Sequence, residues 1–255
     1  MVACPVCNTA GGNYFIQIPK SDHKIFKCSQ CGLEYTYPVP SDDELRDFYC
    51  NYNDPKAPSD VVQLNTQKNI ELLKNFGYSV NHSMLDYGTG DADFVKIAGD
   101  NCYGVDFKKS NVGRVYEDID SVPIKHFDFI TLWGVLEHLN DPIKIINELS
   151  QRLKTKGILA LTTVNAEGVI PYYYKPVEHL TYWTRNSFEL LFERCGFQIV
   201  DIQPYTMFQR KEIYLNRLLS RTPEPYKKAF DDALPSLPQY LDVPTNEVIV
   251  VAEKK

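Results

Sequence analysis

Two groups of residues in this chain could do chemistry, and the first is made of sulfur. Cys4-Pro5-Val6-Cys7 and Cys28-Ser29-Gln30-Cys31 are matched knuckles with 20 residues between them. Each presents two thiolates on one side of a tight turn, so together they offer the four soft tetrahedral ligands that zinc prefers. Pro5 stiffens the first turn, and Gly32 allows the left-handed residue that closes the second. Four sulfur ligands leave no open coordination position. The expectation is therefore a structural Zn²⁺ held by Cys4, Cys7, Cys28 and Cys31. The short strands between the knuckles could not hold a core without metal. Seven cysteines, an odd number, do not suit a disulfide framework. Cys50, Cys102 and Cys195 read as isolated thiols, which fits a reducing, cytoplasmic setting.

The second group is a glycine-rich turn, Asp86-Tyr87-Gly88-Thr89-Gly90-Asp91-Ala92. Such a turn between a strand and a helix brings backbone close to a nucleotide-like ligand. Asp106, 16 residues beyond Gly90, ends the next strand and can accept from both ribose hydroxyls. Read alone, the turn also fits a dinucleotide oxidoreductase. An acid in its first position would repel a pyrophosphate but could hold an amino group, and Ala92 replaces the third glycine.

The elements that must position these groups follow in order. Pro38-Val39-Pro40 ends a ribbon over residues 1–40. Ser41 and Glu44 form a capping box for a helix to about Tyr49. A polar linker leads to a helix capped by Ser59, with Ile70, Leu73 and Phe76 on its apolar stripe and Gly77 after its end. Residues 41–82 thus read as a helical connector or lid. From residue 83 the pattern is strand, turn, helix, repeated. Apolar runs at 84–87, 102–106, 127–132 and 157–162 alternate with helices ended by Gly99, opened by Asp141-Pro142, and opened by Thr184 and ended by Gly196. Residues 197–202 and 247–252 supply the last strands. This alternation predicts an α/β doubly wound, mostly parallel sheet. Residues 205–246, rich in Pro, Tyr and charge, read as a cap of one or two helices between those strands.

With these motifs in order, residues 83–202 resemble the class I S-adenosylmethionine-dependent methyltransferases. The match runs through Leu85-Asp86-Tyr87-Gly88-Thr89-Gly90, Gly104-Val105-Asp106, Asp118 with Pro123, and Phe127-Asp128. It continues through Leu136-Glu137-His138-Leu139, Asp141-Pro142, Gly157-Ile158-Leu159, Glu178-His179-Leu180 and the run from Ser187 to Phe197. A subgroup of that family carries a similar four-cysteine ribbon. The resemblance implies a seven-stranded Rossmann-like sheet and S-adenosylmethionine as cofactor. It places Gly88 and Gly90 under the methionine part, Asp86 near its amino group, and Asp106 on the ribose. Phe107 or Val105 and Ile119 would pack on the adenine, Asp118 would accept from its amino group, and Trp133 would line the floor beside the sulfonium.

Methyl transfer to an alcohol or carbon also needs a base. His138 and His179 each follow a Glu at the ligand-binding edge. The favoured base is His179 oriented by Glu178, in a loop from Val164 to Tyr182 that carries Tyr172 and Tyr174; His138 is the other candidate. The expected substrate is a small hydroxylated metabolite such as a sugar, with O-methylation favoured. Tyr205, Phe208, Tyr214 and Tyr226 would suit stacking on it. C-methylation of a nucleotide sugar fits less well, because Pro176 stands near the place of the expected Tyr and these 255 residues are too few for the extra C-terminal domain of such enzymes. An RNA methyltransferase gripping RNA through the ribbon is a further alternative, and a non-catalytic zinc adaptor another. Residues 1–40 hold three Lys and two acids, and the chain carries a net −6, so nucleic acid is not the expected partner. Length 255, 44% hydrophobic and 24% charged residues exclude a disordered or fibrous chain. No apolar run is long enough to span a membrane, and no signal peptide is read at the start. Oligomeric state is not legible.

Overall fold

The computed structural model describes residues 2–10, 12–18, 22–52, 56–170, 174–175, 177–220 and 223–255. Tyr172 and Pro176, both named above, lie outside them.

The cysteine knuckles flank a small antiparallel ribbon of β1 (Asn13–Gln17), β2 (Lys24–Lys27) and β3 (Glu34–Tyr37). Two helices follow, α1 (Asp42–Asn51) and α2 (Ser59–Lys74). Ser41 and Glu44 make the expected capping box on α1. On α2 the expectation shifts by one residue. Ser59 is the first helical residue, and Pro58 stands at the cap without a side-chain bond. Pro58 has no backbone N–H of its own, and its fixed φ sets the entry angle.

The alternating half then runs β4 (Met84–Tyr87), α3 (Asp93–Ala98), β5 (Cys102–Val105), β6 (Val115–Tyr116), β7 (Phe127–Trp133), α4 (Pro142–Arg152) and β8 (Leu153–Val164). It continues with β9 (Thr181–Tyr182), α5 (Arg185–Arg194), β10 (Phe197–Arg210), α6 (Lys211–Leu219), α7 (Glu224–Ala233) and β11 (Tyr240–Lys254). Seven strands form one sheet in the order β10-β11-β8-β7-β4-β5-β6. The five from β8 to β6 are mutually parallel, and only β11 runs against its neighbours. Both faces are covered, as parallel sheets require. Along β11, Val248, Val250 and Ala252 join the core beneath α4 and α5, while Ile249 and Val251 join the core beneath α2 and α3. Asp141 caps α4 by accepting from the Lys144 amide (3.0 Å), with Pro142 in its first turn.

The 205–246 cap is smaller than expected. β10 continues to Arg210 and β11 begins at Tyr240, paired from Thr206↔Pro244 to Arg210↔Tyr240. Among the described residues the helical part is α6, α7 and a short turn at Leu234–Ser236. The extended arm latches onto α2. Arg210 donates to both oxygens of Asp60 (2.9 and 2.7 Å), and the Tyr240 hydroxyl donates to the same carboxylate (2.6 Å). Asn65 of α2 takes the Phe208 amide (2.7 Å) and donates to its carbonyl (3.0 Å).

The ribbon is built into the larger domain. Its sheet has the order β1-β2-β3-β9, so the fourth strand comes from residues 181–182. The Thr36 amide donates to Leu180 (2.8 Å), and its hydroxyl to the His179 carbonyl (3.1 Å). Below the knuckles the Thr184 hydroxyl donates to the Cys31 carbonyl (2.8 Å). Cys4, Val6, Cys28, Cys31, Leu33 and Tyr35 share one core with Trp183, Phe188 and Phe192. Disrupting the knuckles through Cys28→Ser should therefore speed amide exchange at Thr181–Trp183 as well as in β2 and β3, while β4 and β7 stay protected. Exchange that rises in the ribbon alone would show that β9 is held by other contacts.

Candidate functional site

The four knuckle sulfurs lie within 4.8 Å of one another, with Cys4 3.6 Å from Cys31 and Cys7 3.4 Å from Cys28. A tetrahedron with metal–sulfur bonds of about 2.3 Å has edges of about 3.8 Å, so this donor set fits a zinc ion. Hydrogen bonding from Cys31 lowers the Cys4 thiol, and the same contact raises Cys31, so without a metal the pair shares its protons.

The glycine turn sits at the C-terminal edge of the parallel strands, where open α/β sheets bind ligands. Gly88 adopts φ +75°, and a Cβ there would meet Val135 at 2.6 Å. Gly90 also lies in the left-handed region, with open space where a Cβ would be. Ala92, the replaced third glycine, holds a left-handed φ of 61° at the head of α3. Asp106 accepts from the Gly90 amide (2.8 Å) and the Lys108 amide (2.9 Å), which locks the turn to the tip of β5.

A cavity of about 560 Å³ opens here. It is lined by Gly88, Gly90, Asp106, Phe107, Asp118 and Ile119 together with Tyr49 and His138. Asp118 uses its two oxygens to accept from the Ser121 amide and hydroxyl (2.8 Å each), so it braces its own turn at the cavity wall. A second cavity of about 330 Å³ adjoins the first across Gly88 and Gly134, which line both. Asp86, Trp133, Thr162, Tyr205 and Glu247 border it, roofed by α2 and the β10–β11 arm. Trp133 packs on Phe94 (5.4 Å), and its buried Nε1 has no hydrogen-bond partner among the described residues. Asp86 is buried and accepts from the Thr131 hydroxyl (2.7 Å); burial raises its carboxyl to about 7. A cradle of left-handed glycines, an unpaired indole N–H and a buried acid fit a ligand that brings both polar and cationic groups.

The two histidines meet, but not as expected. Their rings lie 4.9 Å apart, edge to face. The Tyr49 hydroxyl donates to the Glu178 carbonyl (3.0 Å) and lies 2.7 Å from His138 Nδ1, which also contacts that carbonyl. His179 sits behind His138, against Tyr182, with Nε2 3.6 Å from Glu178 Oε1 and Nδ1 buried without a partner. It lines neither cavity. Burial, and then neighbouring His138, lower it to about 3. A ring that resists protonation so strongly is a poor proton acceptor, so the expected His179–Glu178 base does not fit this geometry. Between them, Glu137 is buried and accepts from the Thr163 hydroxyl (2.8 Å), and burial raises it to about 7.

Sequence reading missed Tyr49 and Glu247. Tyr49 ends a helix without a motif. Glu247 opens the run Glu247–Ala252, where one acid before five apolar residues was the available signal.

Fold and topology define an α/β domain of the doubly wound class. A profile described as "Methyltransferase domain" matches residues 55–202, more than half of the chain. The chain belongs to that family. An uncharacterized protein of Methanocaldococcus jannaschii is 28% identical over 144 residues, half of this chain. A ubiquinone biosynthesis O-methyltransferase of Actinobacillus pleuropneumoniae is 30% identical over 70 residues, 28% of this chain. The matched regions span 64% and 30% of those relatives' own lengths. Among solved structures, the 1,6-didemethyltoxoflavin-N1-methyltransferase of Burkholderia thailandensis shares the fold at TM-score 0.54 and 14% identity. That alignment covers 94% of this chain and 98% of the other. Among the described residues no helix is long and apolar enough to cross a membrane.

Glu137 gives a pH test of this interior. It holds its proton to about 7 when folded but only to its ordinary 4.5 when unfolded. The folded chain thus binds more protons across that window, and this contribution to stability falls as pH rises through it. Glu137→Gln should gain on the parent by roughly 3 kcal/mol between about pH 5 and about pH 8. Urea unfolding at the two pH values checks this; a constant difference would mean that Glu137 is ionised throughout.

Proposed function

We propose that this chain is an S-adenosylmethionine-dependent methyltransferase acting on a small molecule, with a structural zinc in its ribbon. The observation that carries this reading is the Asp106 carboxylate fixed on the Gly90 amide, beside a cavity lined by Phe107, Asp118 and Ile119. Asp106 would take the ribose hydroxyls, Phe107 and Ile119 the adenine faces, and Asp118 its amino group. Asp86 and Gly88 would take the methionine end, where the second cavity begins. The cofactor would supply an electrophilic methyl group. The chain's own part is to hold the acceptor against it and exclude water. Trp133 and Phe94 give that space an apolar wall, and α6 and α7 would cap it.

The name of the Actinobacillus relative, matched over 28% of this chain, supports a small-molecule acceptor. O-methylation of a sugar rested on a histidine base, and neither the burial nor the low pKa of His179 supports that step. The four sulfurs, spaced for tetrahedral coordination, support the zinc. Its place is remote from transfer, as a clamp on β3 and hence on β9.

Calorimetry with S-adenosylmethionine tests the reading. The parent should bind, and Asp106→Ala should weaken binding by about 100-fold, the equivalent of losing roughly 3 kcal/mol of charge-assisted hydrogen bonding. Absence of binding at millimolar concentration would overturn it.

A further inference from the structure

The smaller cavity is charged in one sense only. Four carboxylates border it, Asp86, Asp91, Asp93 and Glu247, and no Lys, Arg or His is among its lining residues. Two of the four are already paired: Asp91 with Lys56 (2.6 Å) and Asp93 with Lys96 (3.0 Å). Asp86 and Glu247 have no cationic partner among the described residues. An ionised carboxylate deep in a protein is costly unless a cation meets it. Burial raises Glu247 to about 7, as it does Asp86. Under the methyltransferase reading, on which this inference rests, the cofactor would bring one ammonium group, for which Asp86 is the acid at the glycine turn, and a sulfonium whose charge is lost on transfer. Glu247 is left over. The second acid calls for a second cation.

We propose that Glu247 binds the ammonium nitrogen of the acceptor, so that the substrate is an amine and the reaction is N-methylation. The position of Glu247 suits that task. It pairs across from Val164 at the end of β8. Beside it on the cavity wall stands Thr162, whose hydroxyl accepts from the Gly134 amide (2.9 Å). Gly134 lines both cavities, so Glu247 shares a wall with the residue at their junction. The Trp133 face nearby adds an aromatic wall of the kind that attracts cations.

The chemistry balances without a further reagent. A proton passes from the acceptor's ammonium nitrogen to the Glu247 carboxylate and frees the nitrogen lone pair. That pair forms the new N–C bond while the methyl–sulfur bond breaks and its electrons stay on sulfur. Nothing is oxidised or reduced. A phosphate-bearing acceptor, such as a nucleotide sugar, would face the unpaired Glu247 carboxylate and is disfavoured by that charge.

The test uses the full chain loaded with S-adenosylhomocysteine and two matched probe pairs: benzylamine with benzyl alcohol, and glucosamine with glucose. Calorimetry and thermal shift read binding, and mass spectrometry reads methyl transfer when the methyl donor is supplied. At least one amine should bind more tightly than its hydroxyl counterpart by on the order of tenfold or more, as expected of a charge-assisted bond. Glu247→Gln should erase that preference, and Glu247→Asp should keep part of it, while both variants still bind S-adenosylhomocysteine like the parent. Amines that bind no better than their alcohols, or equal amine binding by Glu247→Gln, would overturn the assignment while leaving the methyltransferase reading intact. Failure of the parent to bind S-adenosylhomocysteine would bring down that reading, and this inference with it.

Discussion

The pairing of β3 with β9 is the contact through which the N-terminal ribbon and the ligand-binding edge become one structure. Glu34 faces Tyr182 and Tyr35 faces Thr181 across that ladder. From β9 the chain passes directly to Trp183 in the main core and back to His179 and Leu180. The Leu180 amide donates to the Glu137 carbonyl (2.6 Å), and Glu137 precedes His138 on the cavity wall. A two-residue strand thus sets where the 174–182 loop, the histidine pair and Glu137 can sit. Strand length matters little here, because hydrogen bonds to Thr36 and buried packing on both sides hold the register.

A second constraint is electrostatic. Asp86, Glu137 and Glu247 gather at the sheet's C-terminal edge, where burial raises all three carboxyls. Hydroxyls from Thr131 and Thr163 satisfy part of the hydrogen-bonding capacity of Asp86 and Glu137, and among the described residues none of the three acids forms an ion pair with a lysine or arginine. A sheet edge arranged in this way is less stable than an apolar one would be. Such tension is common where a ligand is meant to complete the charge balance.

Much of this was legible in the residues, for reasons that differ by position. Asp86, Gly88, Gly90 and Asp106 sit where backbone geometry is locally demanding, and only a few residue types satisfy a left-handed turn locked by a carboxylate. The knuckles were legible because metal spacing is short-range. The ends of β10 and β11 were not, because Pro204, Pro244 and scattered charge hide a strand that long-range latching to Asp60 and Asn65 sustains. His179 misled for a related reason. Its place off both cavity walls and its low pKa come from burial against His138 and Tyr182, which no local pattern encodes. Glu247 looked like the polar start of a surface strand, and only its place beside β8 buries it.

The ribbon's borrowed strand also bears on the order of folding. Residues 4–37 leave the ribosome before residues 181–182 and can gather their thiolates early, yet the strand that completes their sheet is made about 145 residues later. Contacts so distant in sequence form late and slowly. Until Thr181 and Tyr182 arrive, β3 is an open sheet edge with Tyr35 and Leu33 awaiting their partners, a surface prone to pairing with other chains. A metal bound to the nascent knuckles would hold this edge in shape through the wait, and so would act on folding yield as much as on final stability.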